Sequence, residues 1–289
     1  MIDNNTLNNI KLNSRIDTLQ TTEIKENRLD VFDIKGAHSY EKNGNVITKY
    51  NPNNFESKYS TDYKLSKTIN ILEQMQVSLK IVDLDKVSYC RVDIATDISI
   101  YFNDISKFLD LIHKCIIARE KDGSAWHNVY ETDLEVSSYF YKNKDKLEIQ
   151  FYDKHKESNG TANFPTRMEI RFLRIVSKDL ELHVKKSILL WSTVATNLED
   201  VENVIIQVLK NKWIKEKELN PGLSLTTFTY KWADKLFTQR ILKELYSFVG
   251  LSGSFKVWLQ KYRKNHHIEF YTKTQLNNFS QNVIGSLKN

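Results

Sequence analysis

The sequence predicts an α+β fold: an antiparallel sheet with helices on one face and a polar active-site face, followed by a mainly helical, winged-helix-like C-terminal region. Two observations predict the sheet. Arg91-Val92-Asp93-Ile94-Ala95-Thr96-Asp97, Phe151-Tyr152-Asp153-Lys154 and Arg167-Met168-Glu169-Ile170-Arg171 alternate apolar and charged residues, with the period of two that a half-buried strand demands. Their polar set (Arg91, Asp93, Asp97, Gln150, Tyr152, Arg167, Glu169, Arg171) then shares one face, backed by Val92, Ile94, Ile98, Ile149, Phe151, Ile170 and Phe172. A third observation predicts the helical region, because apolar spacing beyond about residue 195 becomes mainly helical.

Each element follows from local signals. Residues 1–27 are polar and weakly periodic, which predicts a flexible arm. Val31-Phe32-Asp33-Ile34 reads as a strand and 39–49 as a hairpin, with Asn43-Gly44 supplying the positive-φ turn. Asn51 to Phe55 is loop. Leu65, Ile69, Leu72, Met75 and Val77 recur at helical spacing over 63–79, after the capping run Ser60-Thr61-Asp62. A long strand over 88–102 precedes a helix over 104–120, which Asp122-Gly123 ends. Strands follow at 126–132, 136–142, 146–153 and 167–174, and the stretch from His155 to Pro165 is loop. Helices are expected over 198–219, 231–248 and 254–264, with Asn220-Pro221-Gly222 as breaker and Gly250-Leu251-Ser252-Gly253 as tight turn. The last two have helix-turn-helix spacing. Strand-like Ile268 to Tyr271 and a final helix over 274–287 allow a winged-helix variant. These elements divide into the arm (1–27), an α+β domain (28–195) and a basic helical domain (196–289).

With 289 residues and 40% hydrophobic content, the chain can bury a sizeable core. Residues 205–289 hold 14 Lys and Arg against 5 Asp and Glu, more than the whole net charge of +6, so the preceding residues are net acidic. That asymmetry favours a polyanion as partner for the last third, because neutralising phosphates releases their counterions. A merely soluble, lysine-rich surface is the competing reading. Cys90 and Cys115 have no metal-ligand spacing and read as reduced structural residues. No apolar run reaches the length of a membrane span and no secretory signal pattern opens the chain, so a cytoplasmic protein without membrane contact is expected.

Carboxylates, arginines and a tyrosine on one sheet face suit the handling of a phosphodiester. Tyrosine is a poor nucleophile at neutral pH, its unperturbed pKa being about 10. It needs metal polarisation of the phosphate or cations that stabilise phenolate, and Asp93, Glu169, Lys154, Arg167 and Arg171 are groups of the right kind. Asp93 and Asp97 stand about 13 Å apart along one strand. Glu169 is thus the better partner for Asp93, and such ligands suit Mg²⁺ or Mn²⁺. A structural cross-strand ladder of acids and arginines explains the same residues without chemistry. His127 or His155 could complete a metal site, although a surface or core role fits each. In the last third, Lys256, Lys261, Arg263 and Lys264, interleaved with Trp258, Tyr262, His266 and His267, suit insertion into a groove or contact with a DNA backbone. A solvated amphipathic helix is the alternative.

The motifs at 91–97, 151–154 and 167–171, with the Asn51-Pro52 loop after a Lys/Tyr-rich strand, resemble in order and spacing the replication initiators of rolling-circle plasmids and filamentous phages. The resemblance covers about residues 28–190. It implies a metal-dependent nickase that cleaves one strand at a DNA origin, stays linked to the 5′ phosphate through a tyrosine and later re-joins the ends. It implies Tyr152 as nucleophile, with Tyr139 and Tyr141 as competitors, Lys154, Arg167 and Arg171 as phosphate ligands, and Asp93 and Glu169 as ligands of Mg²⁺ or Mn²⁺. Double-stranded origin DNA, single-stranded DNA and a host helicase would be partners, and a homodimer is one of the oligomeric states left open. The paired-histidine metal motif of the wider nickase superfamily is missing. A noncatalytic DNA-binding replication or copy-control protein, keeping the sheet as scaffold, is the alternative.

Overall fold

The computed structural model describes residues 6–7, 9–27, 33–34, 37–51, 82–117, 130–131, 138–143, 147–177, 179–265 and 269–288. Among these, nine strands form one antiparallel sheet: β1 (Leu12–Ile24), β2 (Asp33–Ile34), β3 (Ala37–Lys42), β4 (Asn45–Tyr50), β5 (Ser88–Ile98), β6 (Tyr130–Glu131), β7 (Ser138–Asn143), β8 (Leu147–Asp153) and β9 (Thr166–Ser177), in the order β2-β3-β4-β1-β5-β9-β8-β7-β6. The helices are α1 (Phe102–Ile117), α2 (Lys154–Glu157), α3 (Leu180–Ser192), α4 (Leu198–Leu219), α5 (Leu225–Lys231), α6 (Gln239–Phe248), α7 (Phe255–Asn265) and α8 (Lys273–Lys288). The chain forms two compact units of interleaved segments, in contrast to the consecutive domains expected. One comprises Met1–Asn9, Asp104–Trp126 and Ser192–Ser280, the other Ile10–Asn103, His127–Trp191 and Gln281–Asn289.

The second unit contains the sheet. Its apolar face is written by register: Ile16, Ile94, Ile170 and Ile149 stand opposite one another across β1, β5, β9 and β8, and all four are buried. Ring packing of His183 in α3 on Phe172, at 5.5 Å, lies on this side, as do Val184 and Leu287, which line a small cavity with Ile16 and Ile94. The predicted turn at Asn43-Gly44 forms with φ of 52° and 76° and joins β3 to β4.

One expectation is overturned at the N-terminus. Residues 12–24 are not a flexible arm but β1, hydrogen-bonded between β4 and β5 near the middle of the sheet. Its inward positions include Ser14, Thr18, Thr21 and Glu23, and a register shift between Ile16 and Thr18 breaks the alternation. A strand that buries hydroxyls through a bulge shows no hydrophobic period. Elsewhere, α2 adds one turn at the start of the predicted 155–165 loop, with the Asp153 side chain capping it through the Lys156 amide. The expected helix over 63–79 and the Pro52–Phe55 part of the loop lie outside the described residues.

The ion pairs that join β1, β5 and β9 centre on buried Asp97 and Arg167. Asp97 Oδ1 accepts from Arg167 Nε at 2.5 Å, Asp97 Oδ2 accepts from Arg15 Nη1 at 2.5 Å, and Arg167 Nη1 reaches Asp17 Oδ1 at 3.1 Å. Burial alone would lower the Arg167 pKa, but the hydrogen bond and charge of Asp97 outweigh it and the guanidinium is held more firmly protonated.

In the other unit, Phe108 packs on Tyr271 and Phe279 at 5.0 and 5.3 Å, and Trp213 on Phe228 at 5.3 Å. Buried Glu202 of α4 accepts from Thr238 Oγ1 at 2.6 Å and from Arg240 Nη1 at 2.7 Å, tying α4 to the start of α6. The single helix expected over 231–248 is broken: α5 ends at Lys231, a 3₁₀ turn spans Ala233–Lys235, and the Thr238 hydroxyl caps α6 by accepting from the Ile241 amide. Gly250, with φ of 76°, ends α6 in a Schellman motif, where the Leu251 amide bonds Tyr246 O and the Gly250 amide bonds Ser247 O. Residues 269–272 are irregular in place of the expected strand, and the Tyr271 amide donates to Phe237 O at 2.7 Å.

Two outcomes test this packing. Asp97→Ala removes from buried Arg167 and half-buried Arg15 their shared counter-ion, leaving Arg167 only Asp17, which should cost about 3–5 kcal/mol, read as faster native-state hydrogen exchange of the β5 amides. Burial also pushes the fully enclosed His113 imidazole down to about 3, while the unfolded chain protonates near its ordinary value of 6.5. Because the folded value is the lower one, the stabilisation is complete above pH 6.5 and is lost progressively as pH falls towards 3. The unfolding free energy, read from urea titrations, should therefore drop on acidification, by at most about 1.4 kcal/mol per pH unit from this group, and His113→Leu should flatten that slope.

Candidate active site

Register places the charged side chains of β5, β9 and β8 on the face opposite the isoleucine row. Asp93 lies opposite Arg171 and Asp97 opposite Arg167, while on the other side of β9 Glu148, Gln150 and Tyr152 stand opposite Arg171, Glu169 and Arg167. Directly opposite residues of an antiparallel pair share a face. Sequence periodicity thus identified the right face, and the structure adds Arg15, Asp17 and Glu148 to it.

Tyr152 and Glu169 form the centre. The Tyr152 hydroxyl donates to Glu169 Oε1 at 2.6 Å, and Glu169 Oε2 accepts from Arg171 Nη2 at 2.6 Å and Nε at 3.0 Å. Arg167 Nη1 stands 3.8 Å from Glu169 Oε1. Both oxygens of Asp93 accept from Arg91, Nε at 2.8 Å and Nη2 at 2.6 Å, and Arg171 Nε approaches within 3.9 Å. Arg171 also faces Glu148 at 3.5 Å. Five carboxylates (Asp17, Asp93, Asp97, Glu148, Glu169) therefore meet four guanidinium groups (Arg15, Arg91, Arg167, Arg171) in one network.

Burial changes what these groups can do. Asp93, Glu169 and Tyr152 are only 2%, 4% and 6% exposed, so the groups at the centre of the polar face are closed off from water. Burial, reinforced by the Glu169 charge, pushes the Tyr152 phenol well above its ordinary value although Arg167 pulls the other way. Burial likewise raises Asp93 against the pull of Arg91. Burial would raise Glu169 too, but Arg171 and the Tyr152 hydrogen bond outweigh it and its pKa falls. In the resting protein Tyr152 is thus a protonated phenol bonded to an ionised carboxylate that Arg171 orients. This is the order of a nucleophile, a base and an orienting group.

The remaining predicted residues are less central. Lys154 opens α2, pairs with Glu157 at 2.5 Å and lies 5.9 Å from the Tyr152 ring centroid. Arg167, expected as a phosphate ligand, is engaged by Asp97 and Asp17. Tyr139 and Tyr141 stand opposite Phe151 and Ile149, out of phase with Tyr152. Asp93 and Glu169 do not fit a divalent ion as arranged, because their oxygens are taken by Arg91, Arg171 and Tyr152. Among the described residues no group of three His, Cys, Asp or Glu is placed to hold a metal. Lys256 and Lys261 are exposed on α7, whereas the side chains of Arg263 and Lys264 lie outside the description. Trp258 is buried on Tyr246 at 5.4 Å, so it is a packing residue and not a groove contact. Lys261 borders a cavity of about 730 Å³ with Trp213, Tyr230 and Tyr246.

No protein-family model matches the chain, and no curated protein matches it. Among solved structures it is similar to the rolling circle replication initiator protein from Geobacillus stearothermophilus, at 12% identity and a TM-score of 0.32, over 65% of this chain and 85% of that one. A superposition that loose fixes neither fold nor chemistry.

Proposed function

We infer that this protein is a DNA replication initiator of the rolling-circle type, whose sheet unit cuts and re-joins one strand through Tyr152 and whose basic helical residues engage duplex DNA. The observation that carries the reading is the 2.6 Å hydrogen bond from the Tyr152 hydroxyl to Glu169, with Arg171 on the far side of the carboxylate. The motif order that resembles rolling-circle initiators supports the substrate class.

The reaction starts with an exchange of anions. Arg91 and Arg171 are the most exposed arginines of the network, with side chains 24% and 25% exposed, and a phosphodiester draws them from Asp93 and Glu169. Glu169, losing its guanidinium, becomes the stronger base and takes the Tyr152 proton. The phenolate oxygen attacks phosphorus, the bond from phosphorus to the 3′ oxygen breaks, and a 5′-phosphotyrosine remains. The departing 3′ oxygen takes a proton from Lys154, which already lies beside the ring. Re-joining runs the same steps backwards. No step is routed through a metal, because the carboxylates are arranged for arginine.

A noncatalytic DNA-binding protein is the second reading, and the burial of Tyr152 together with the full compensation of both carboxylates favours it. Incubation with a supercoiled plasmid carrying the DNA that flanks the coding region, with and without Mn²⁺, separates the two. The nickase relaxes the plasmid and leaves a detergent-resistant protein–DNA adduct. Tyr152→Phe should abolish the adduct while the thermal midpoint stays within a few degrees, and Glu169→Gln should slow its formation by roughly 10²–10⁴-fold. Duplex binding without any adduct establishes the noncatalytic reading.

A further inference from the structure

Helix α7 meets α6 through Phe255 and Trp258, whose rings pack on Tyr246 at 6.1 and 5.4 Å. Beside this contact, side chains of α4, α5, α6 and α7 line the cavity of about 730 Å³, a volume within the range of small-molecule sites. Its wall is mostly aromatic and aliphatic. Trp213, Tyr246 and Trp258 are buried, while Tyr230, Leu251 and Val257 remain 44%, 42% and 56% exposed. Two ammonium groups, Lys217 and Lys261, border the cavity, and among the described residues no carboxylate lines it. Lys217 is occupied, because its Nζ donates to Pro221 O at 2.5 Å and to Leu223 O at 2.8 Å and so fastens the loop that forms one wall. Lys261 is exposed and, among the described residues, has no carboxylate within ion-pair distance. The Ser224 hydroxyl is committed to the start of α5, where it accepts from the Thr227 amide at 3.1 Å.

We infer that this cavity binds a small aromatic monoanion, an aryl carboxylate, with its ring against the aromatic wall and its carboxylate on Lys261. Four aromatic side chains, Trp213, Tyr230, Tyr246 and Trp258, favour a flat ring that packs offset or edge-on against them. A flexible acyl chain would fill the same space at a greater loss of rotamer freedom. One unengaged ammonium balances one negative charge. A phosphate carries more charge and more acceptor oxygens and calls for a guanidinium fork, and no arginine lines the cavity. A cation has no counter-charge there at all. Every lining residue belongs to the helical unit, and binding needs neither Tyr152 nor a covalent step, so the site stands or falls apart from the nicking reading.

Isothermal titration calorimetry of the full-length protein with β-naphthoate, its uncharged analogue β-naphthamide, decanoate and adenosine monophosphate tests the assignment. The wild type should bind β-naphthoate roughly tenfold more tightly than β-naphthamide, as expected of one charge-assisted hydrogen bond. Lys261→Met should erase that preference and leave the affinity for β-naphthamide unchanged, a result that misfolding would not produce. Val257→Trp, at an exposed position of the wall, places an indole in the cavity and should weaken both ligands at least roughly tenfold while the thermal midpoint holds. No binding of β-naphthoate, or binding indifferent to both substitutions, overturns the site. Equal affinity for acid and amide overturns the anionic ligand, tighter binding of decanoate overturns the aromatic body, and tighter binding of adenosine monophosphate overturns the single charge. If the wild type instead ignores β-naphthoate and forms a dimer in analytical ultracentrifugation that Val257→Trp breaks, the cavity is a contact between copies and the ligand site is overturned.

Discussion

The pairing of β5 with β9 is the constraint on which the rest of the sheet depends. In the observed register Asp97 meets Arg167 and Asp93 meets Arg171 on one face, while Ile94 meets Ile170 on the other. A slip by one residue would exchange the faces, placing carboxylates among isoleucines and isoleucines among guanidinium groups. Burying each ion still costs several kcal/mol before its partner offsets the loss. The network is therefore better understood as fixing the alignment of β1, β5 and β9 than as adding stability. The apolar reverse face supplies the driving force, since Ile16, Ile94, Ile149 and Ile170 are each almost wholly removed from water.

That same compensation governs reactivity. A carboxylate buried beside an arginine is neither a metal ligand nor a base until the arginine leaves. A phenol that donates to such a carboxylate stays protonated. The two guanidinium groups nearest solvent, Arg91 and Arg171, are also the two that hold Asp93 and Glu169. An incoming phosphate competes for these arginines, so substrate binding and activation of the nucleophile become one event in the proposed chemistry. Arg167, locked between Asp97 and Asp17 and nearly inaccessible, stays in place and keeps positive charge beside the phenol.

Much of this was legible in the sequence, and the failures have identifiable causes. Alternation in β5, β8 and β9 holds through most of the site, interrupted in β5 only where Ala95 takes a charged-face position and Thr96 an apolar-face one, so face and backing residues could be read from period alone. Helix α4 was legible because its apolar positions repeat over 22 residues between Asn197 and the Asn-Pro-Gly breaker. Strand β1 was not, because only Ile16 and Leu19 of its six buried side chains are apolar and its bulge shifts the phase. Arg15 and Asp17 were missed with it. Pairing partners were out of reach for a related reason: β5 neighbours β1 and β9, far away in sequence, and no local pattern says that Asp97 will be consumed by Arg167. Residue types suited to binding phosphate are also those suited to neutralising one another, and only tertiary placement distinguishes the two.

Charge is uneven along the chain. Residues 205–289 carry a net positive charge, and Lys256 and Lys261 lie exposed on a short helix that follows a tight turn. The compact unit that contains the sheet nonetheless holds more Lys and Arg (25) than Asp and Glu (23), so both units are net positive, and the polar face is distinguished by how its charges pair and not by their sum.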